Sequence, residues 1–103
     1  MNILLCCDGG FSSSLVAANV QSEAKKQDKD VKCWAVSFGG VEDYIGEIDV
    51  VLMGPQAIHA KNSVEEKCRP HGIPVGVMSH RDYGFCDGAA VLKQAEQLIA
   101  ENK

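Results

Sequence analysis

The stretch that decides the fold is residues 2–14, which read NILLCCDGGFSSS. Residues 2–6 are a short apolar run, typical of a strand that is covered on both faces. The glycines and serines behind it predict a tight loop and then a helix over residues 14–26, with Ser12 or Ser13 as its N-cap. A strand that turns directly into a helix is the first half of a strand–helix–strand unit, so we expect a parallel α/β protein.

The same alternation continues along the chain. Further strands are predicted at residues 31–37, 49–53 and 73–78, the last of them interrupted by Gly76. Helices are predicted at residues 56–69 and 89–101, with a single helical turn near residues 41–44. In the first of these helices Glu65 and Arg69 are four residues apart, a spacing that favours an ion pair.

Strand–helix alternation with right-handed crossovers predicts a three-layer α/β sandwich around a four-stranded parallel sheet. We take strand order 2-1-3-4 as the hypothesis, which is the small flavodoxin-like arrangement shared with low-molecular-weight phosphatases. In such sheets ligands bind beyond the carboxyl ends of the strands, where the strand order reverses. That point lies beside the first strand, next to Cys7.

Length and composition favour one compact domain over residues 1–103. A net charge of -4, with no basic run, argues against nucleic acid as a partner. No apolar stretch approaches the roughly 20 residues that span a bilayer, so direct membrane insertion is not expected. The N-terminus does not resemble a secretory signal, and we expect a cytoplasmic protein that is a monomer and docks transiently.

The five cysteines do not predict a disulfide framework, because their number is odd and their spacing unpaired. Cys6, Cys33 and Cys86 are expected to be small buried hydrophobic residues. Cys68, in a charged helical segment, is expected to be partly exposed. The three histidines lack the spacing of a metal site, and no metal or other cofactor is expected.

Cys7 is the residue with the strongest chemical signal. Glycines after it let successive backbone N–H groups converge, and a helix start adds unpaired donors and a partial positive charge. Those donors favour the thiolate over the thiol, so Cys7 is predicted to be a nucleophile that faces an oxyanion. The combination indicates a covalent cysteinyl-phosphate.

The loop lacks the Gly-Lys-Ser/Thr of a P-loop and the third glycine of a dinucleotide-binding turn. It is closer to the Cys-x5-Arg loop of low-molecular-weight tyrosine phosphatases and arsenate reductases, but the arginine position holds Ser13, and Arg69 and Arg81 lie far along the chain. Without that cation a cysteinyl-phosphate would form but would not be hydrolysed efficiently. This favours a phosphocarrier over a phosphatase, while the acidic Asp8 leaves a non-catalytic regulatory domain as a third alternative.

Three motifs resemble one family along nearly the whole chain: residues 7–15 (CDGGFSSSL), residues 49–56 (DVVLMGPQ), and Tyr83-Gly84 with Asp87-Gly88 before the last helix. They are similar to the B components (EIIB) of the sugar phosphotransferase system (PTS), of the lactose/cellobiose (chitobiose) type. Asp8 stands where that family has a small neutral residue, and we expect its carboxylate to face outward or to cap the loop.

The resemblance implies a sugar phosphotransferase activity. A phosphohistidine of the IIA component would donate its phosphoryl group to Cys7, and Cys7 would pass it to a sugar held by the IIC membrane permease. A β-disaccharide such as cellobiose, chitobiose or lactose is the implied sugar. The phosphoryl oxygens would be received by the loop residues Asp8, Gly9, Gly10, Phe11, Ser12, Ser13 and Ser14. Residues 80–83 follow the fourth predicted strand and are expected to reach the same rim, because the carboxyl ends of parallel strands share one edge.

Overall fold

A computed structural model of the chain describes residues 1–7 and 11–102. The strands are β1 Asn2–Cys7, β2 Lys32–Ser37, β3 Val50–Met53 and β4 Val75–Val77. The α-helices are α1 Phe11–Lys26, α2 Lys61–Cys68, α3 His80–Gly84 and α4 Gly88–Glu101. Short 3-10 helices occupy Phe38–Tyr44, Pro55–Ala60 and Arg69–His71.

The four strands form one parallel sheet in the order β2-β1-β3-β4. β1 is central, with Ile3 paired to Cys33 of β2 and to Val50 of β3. The chain therefore moves from β1 to one side, returns, and continues on the other side. This confirms the predicted flavodoxin-like order and places the reversal between β1 and β3.

Two hydrophobic layers enclose the sheet. Ile3 and Leu5 of β1 pack with α1 and α4, whereas Leu4 and Cys6 pack with α2 and the 3-10 segments. Alternate residues of a strand face opposite sides, so one strand supplies both cores. The three-layer sandwich is confirmed.

The first helix begins earlier than predicted. α1 starts at Phe11, so Ser12 and Ser13 lie inside the helix and the prediction that one of them is the N-cap is wrong. The Ser13 hydroxyl instead turns into the protein and lies 3.2 Å from the hydroxyl oxygen of Tyr83. The Ser13 side chain therefore contacts a distant segment and does not cap its own helix.

The segment after β3 also departs from the prediction. It begins as a 3-10 helix over Pro55–Ala60 and becomes α-helical at α2, rather than forming one helix over residues 56–69. The predicted Glu65–Arg69 pair is wrong, because the Glu65 carboxylate lies 2.9 Å from the Lys61 ammonium one turn earlier. Arg69 is exposed in the following 3-10 turn.

α4 approaches α1 more closely than a side chain at its first residue would allow. A Cβ on Gly88 would overlap the backbone carbonyl of Asn19 and stand 2.8 Å from the amide nitrogen of Val20. The Asn19 side chain adds a hydrogen bond of 2.8 Å from its Nδ2 to the carbonyl oxygen of Cys86. The start of α4 is thus held directly against the α1 backbone.

Buried thiols contribute to both cores, and Cys6 and Cys33 are buried as predicted. Burial raises the pKa of Cys6 and of Cys33 to about 12. Cys68 is fully buried on the face of α2 that packs on the sheet, so the predicted partial exposure is wrong. Cys86 is only half-buried at the edge of the α1–α4 core, so the prediction that it is buried is wrong.

We expect Gly88→Ala to lower the free energy of unfolding by about 3 kcal/mol, because the new methyl group forces α1 and α4 apart. Urea denaturation measures this loss. Gly46→Ala is the matched control, since nothing lies within 4 Å of a Cβ at Gly46. Equal stability of the two variants would contradict the close helix contact.

We expect the free energy of unfolding to fall as pH rises from 9 towards 12, because the pKa of Cys33 is the ordinary thiol value of 9.0 in the unfolded chain and about 12 in the folded one. The folded state then holds a proton that the unfolded state has lost. Cys33→Ala should make this fall shallower by about 1 kcal/mol per pH unit. Urea unfolding of both proteins at several pH values above 8 tests it, and parallel curves would contradict the prediction.

Candidate functional site

Cys7 is the last residue of β1 and lies where the strand order reverses. Ser37, the last residue of β2, is its partner in register. On the other side Gly54 follows β3, and its amide donates to the carbonyl of Cys6 at 2.8 Å. A Cβ on Gly54 would stand 3.5 Å from the Cβ of Cys7, so the Gly-Pro-Gln stretch lies directly beside the thiol residue.

Strand alternation separates Cys7 from Cys6. Cys6 belongs to the core under α2, whereas Cys7 continues the row of Ile3 and Leu5, which face α1. Cys7 is 3% exposed, at the rim of the sheet next to the start of α1. The first backbone N–H groups of an α-helix have no acceptor within the helix, which is the arrangement that binds anions.

The structure describes part of the predicted phosphate-binding loop. Asp8, Gly9 and Gly10 lie outside the described residues, so their predicted roles stay predictions. Phe11 and Ser12 form the start of α1. Ser13 is fully buried and Ser14 is exposed, so the two hydroxyls are in different environments.

A hydrogen-bonded group at this rim was not predicted from the sequence. The Tyr83 hydroxyl lies 3.2 Å from the Ser13 hydroxyl and accepts a hydrogen bond of 2.9 Å from the Gln56 amide Nε2. We call Ser13, Gln56 and Tyr83 the Tyr83 cluster. The Gln56 Oε1 atom would stand 3.0 Å from a Cβ on Gly54, which brings the cluster to the side of Cys7.

The placement of Tyr83 follows from local structure after β4. Ser79 caps α3 by accepting a hydrogen bond of 3.0 Å from the amide of Asp82. The Tyr83 amide bonds to the Ser79 carbonyl at 3.0 Å, and its ring packs on the α1–α4 core. The prediction that residues 80–83 reach the Cys7 rim is confirmed for Tyr83, whereas Arg81 is exposed.

Exposed apolar side chains accompany the cluster. Leu15, Ile58 and Phe85 are 55%, 59% and 79% exposed. Each lies two residues after a member of the Tyr83 cluster, on α1, after β3 and after α3 respectively. The hydrogen bonds of the cluster therefore connect the three segments that carry these apolar side chains.

Neither a metal site nor a membrane span is found in the described part of the chain. Within residues 1–7 and 11–102, no group of three or more His, Cys, Asp or Glu side chains is placed to hold a metal ion. Over the same residues, no helix is both long enough and apolar enough to cross a bilayer.

Comparison with known proteins identifies the family. Residues 2–94 match the family model described as PTS system, Lactose/Cellobiose specific IIB subunit. The galactose-specific EIIB component of Lactococcus lactis subsp. cremoris is 33% identical over 102 residues, with 94% of each chain covered. The oligo-beta-mannoside-specific EIIB component of Bacillus subtilis is 30% identical over 97 residues, with 94% of each chain covered.

Solved structures agree. The solution structure of a cellobiose-specific IIB component from Borrelia burgdorferi has a TM-score of 0.82 and 31% identity, covering 100% of this chain and 94% of that one. A lactose-specific IIB domain from Streptococcus pneumoniae has a TM-score of 0.86 at 17% identity, covering 95% and 96%, and supports the fold. The chain belongs to the lactose/cellobiose-specific IIB subunit family and is an EIIB phosphocarrier component of a sugar phosphotransferase.

Proposed function

We propose that Cys7 is the residue that carries the phosphoryl group between the PTS partners. The observation behind this proposal is the position of Cys7 at the end of β1, between the first turn of α1 and Gly54. Three of the other thiols fit the role less well. Cys6, Cys33 and Cys68 are buried in the two cores, where burial raises the thiol pKa and opposes formation of the thiolate.

The proposed reaction has two transfers. The Cys7 thiolate attacks the phosphorus of a phosphohistidine on the IIA component, an S–P bond forms, and the P–N bond breaks as the imidazole leaves. In the second step a sugar hydroxyl held by IIC attacks the phosphorus, loses its proton, and displaces the Cys7 thiolate. The thiol group returns to its starting state, so it acts as a true carrier.

Backbone donors are proposed to bind the phosphoryl oxygens. The loop predicted at residues 8–10 would present N–H groups, and the first turn of α1 adds N–H groups that have no acceptor within the helix. The helix dipole adds favourable electrostatics at the same place. The Ser13 hydroxyl is buried at this rim, whereas Ser14 is exposed.

The proposed sugar is a β-linked disaccharide such as cellobiose, chitobiose or lactose. Its support is the family description, which names lactose and cellobiose. Named relatives differ in sugar, from galactose to cellobiose to oligo-β-mannoside. We propose that the chain acts in the cytoplasm as a monomeric single domain over residues 1–103, and that IIC contributes most of the sugar selectivity.

Docking of IIA is proposed to use the exposed apolar side chains around the cluster. Leu15, Ile58 and Phe85 are large, exposed and attached to segments that converge near Cys7. Aromatic side chains, of which Phe85 is one, are enriched in the cores of protein–protein interfaces. Phe85, the most exposed of the three, is the best candidate for such a contact.

We expect incubation with phosphorylated IIA to add one phosphoryl group to the wild-type chain, and Cys7→Ser to abolish the addition, because a serine hydroxyl is a far weaker nucleophile. Intact-protein mass spectrometry measures the product. The matched control is Cys6→Ala, which removes the adjacent thiol from the opposite layer and should still be phosphorylated. Phosphorylation of Cys7→Ser, or rapid release of inorganic phosphate from phenyl phosphate by the wild type, would refute the proposed carrier.

We expect Phe85→Ser to raise the IIA concentration at half-maximal transfer rate about 10-fold, since truncation of an interface aromatic side chain costs more than about 1 kcal/mol. The maximal rate should stay unchanged, because the proposed role of Phe85 is confined to docking. Rapid-quench kinetics at several IIA concentrations separate the two effects. An unchanged half-saturation value would exclude Phe85 from the IIA interface.

A further inference from the structure

We propose that the Tyr83 hydroxyl positions Ser13 as a hydrogen-bond donor to the phosphoryl group on Cys7. The proposal rests on the proposed function of Cys7. Its geometric basis is the pair of contacts at the Tyr83 hydroxyl, 2.9 Å from Gln56 Nε2 and 3.2 Å from the Ser13 hydroxyl. Tyr83 and Gln56 are positioning residues in this arrangement, and Ser13 is the group that contacts the phosphoryl oxygen.

The amide of Gln56 is the donor at one side of the Tyr83 hydroxyl. Its Nε2 atom donates, so the Tyr83 oxygen accepts at that contact. Either hydroxyl can donate at the 3.2 Å contact, and in the proposed arrangement Tyr83 donates and the Ser13 oxygen accepts. Ser13 consequently has its own hydroxyl proton to donate to a third group.

The burial of Ser13 restricts what that third group is. Ser13 is fully buried, and bulk water does not reach its hydroxyl. It lies six residues after Cys7, in the first turn of the helix that follows the phosphoryl loop. A phosphoryl oxygen on Cys7 is the acceptor that the proposed reaction brings to this place.

A donor held in this way is useful for a carrier. Hydrogen bonds to a charged acceptor are stronger than neutral ones, and a chain of them polarises each donor further. Because Tyr83 and Gln56 hold the Ser13 hydroxyl before the phosphoryl group arrives, little reorganisation is needed during transfer. The chain supplies a directional donor at the position that is occupied by arginine in the phosphatase loops it resembles.

The first test is the phosphotransfer rate of Tyr83→Phe, which removes one oxygen atom and keeps the ring. We expect the maximal rate from phosphorylated IIA to fall about 10- to 100-fold, the size of one hydrogen bond to a charged group. The IIA concentration at half-maximal rate should not change. Tyr44→Phe is the matched control, because Tyr44 packs edge-on against Trp34 in the opposite layer, and its maximal rate should equal that of the wild type.

The second test uses non-additivity. Ser13→Ala should slow transfer at least as much as Tyr83→Phe, and the double variant should match Ser13→Ala within about 2-fold, because Tyr83 acts only through the Ser13 hydroxyl. Ser13→Thr keeps a hydroxyl and should restore most of the rate. The phosphorus NMR shift of the phosphocysteine should move alike in Ser13→Ala and Tyr83→Phe, a signature that a purely structural role does not produce.

The outcomes separate this inference from the proposed function. A wild-type chain that takes no phosphoryl group refutes both. A wild-type chain that is phosphorylated while Tyr83→Phe keeps its rate and its phosphorus shift refutes the positioning role alone. Multiplicative losses in the double variant, or a lowered melting temperature with unchanged transfer, also overturn it, because they indicate that Tyr83 acts on the fold.

Discussion

The central place of β1 in the parallel sheet is the constraint on which the site depends. β2 and β3 pair with β1 from opposite sides, so the residues that follow all three strands meet at one edge. That geometry places Cys7 between Ser37 and Gly54, although the three residues are far apart in the sequence. α1 begins at Phe11, four residues after Cys7, so its first turn lies close to the same edge.

Two adjacent cysteines of β1 have different environments because neighbouring residues of a strand face opposite sides of the sheet. Cys6 faces the core under α2, where burial raises the pKa of its thiol to about 12, so it remains a packing residue. Cys7, one residue later, lies on the opposite face and at the end of the strand. A shift of the β1 register by one residue would exchange these environments. The correct register of β1 is therefore required both for the site and for the stability of the fold.

The fold was predictable from sequence because its signals are local. Apolar runs bounded by glycine and proline indicated each strand, and the alternation with helices indicated a parallel sheet. The errors have a common origin in contacts between distant segments. Ser13 looked like an N-cap but bonds to a tyrosine 70 residues away, and Cys68 looked exposed but faces the sheet. No periodicity in the sequence reports such contacts.

Local and distant signals also divide the site into a part that could be predicted and a part that could not. Cys7 has a local signature, a thiol after a strand and before glycines and a helix, so its sequence neighbourhood is sufficient to select it. Gln56 and Tyr83 lack such a signature, since they are separated by 27 residues and meet only through a shared hydroxyl contact. Gln56 stands in the Gly-Pro-Gln stretch and Tyr83 in the segment after β4, and both segments follow strands that end at the Cys7 rim. Polar residues just after the strands of a parallel sheet are consequently the ones to consider as partners of a rim nucleophile, even where their own sequence motif does not indicate a role.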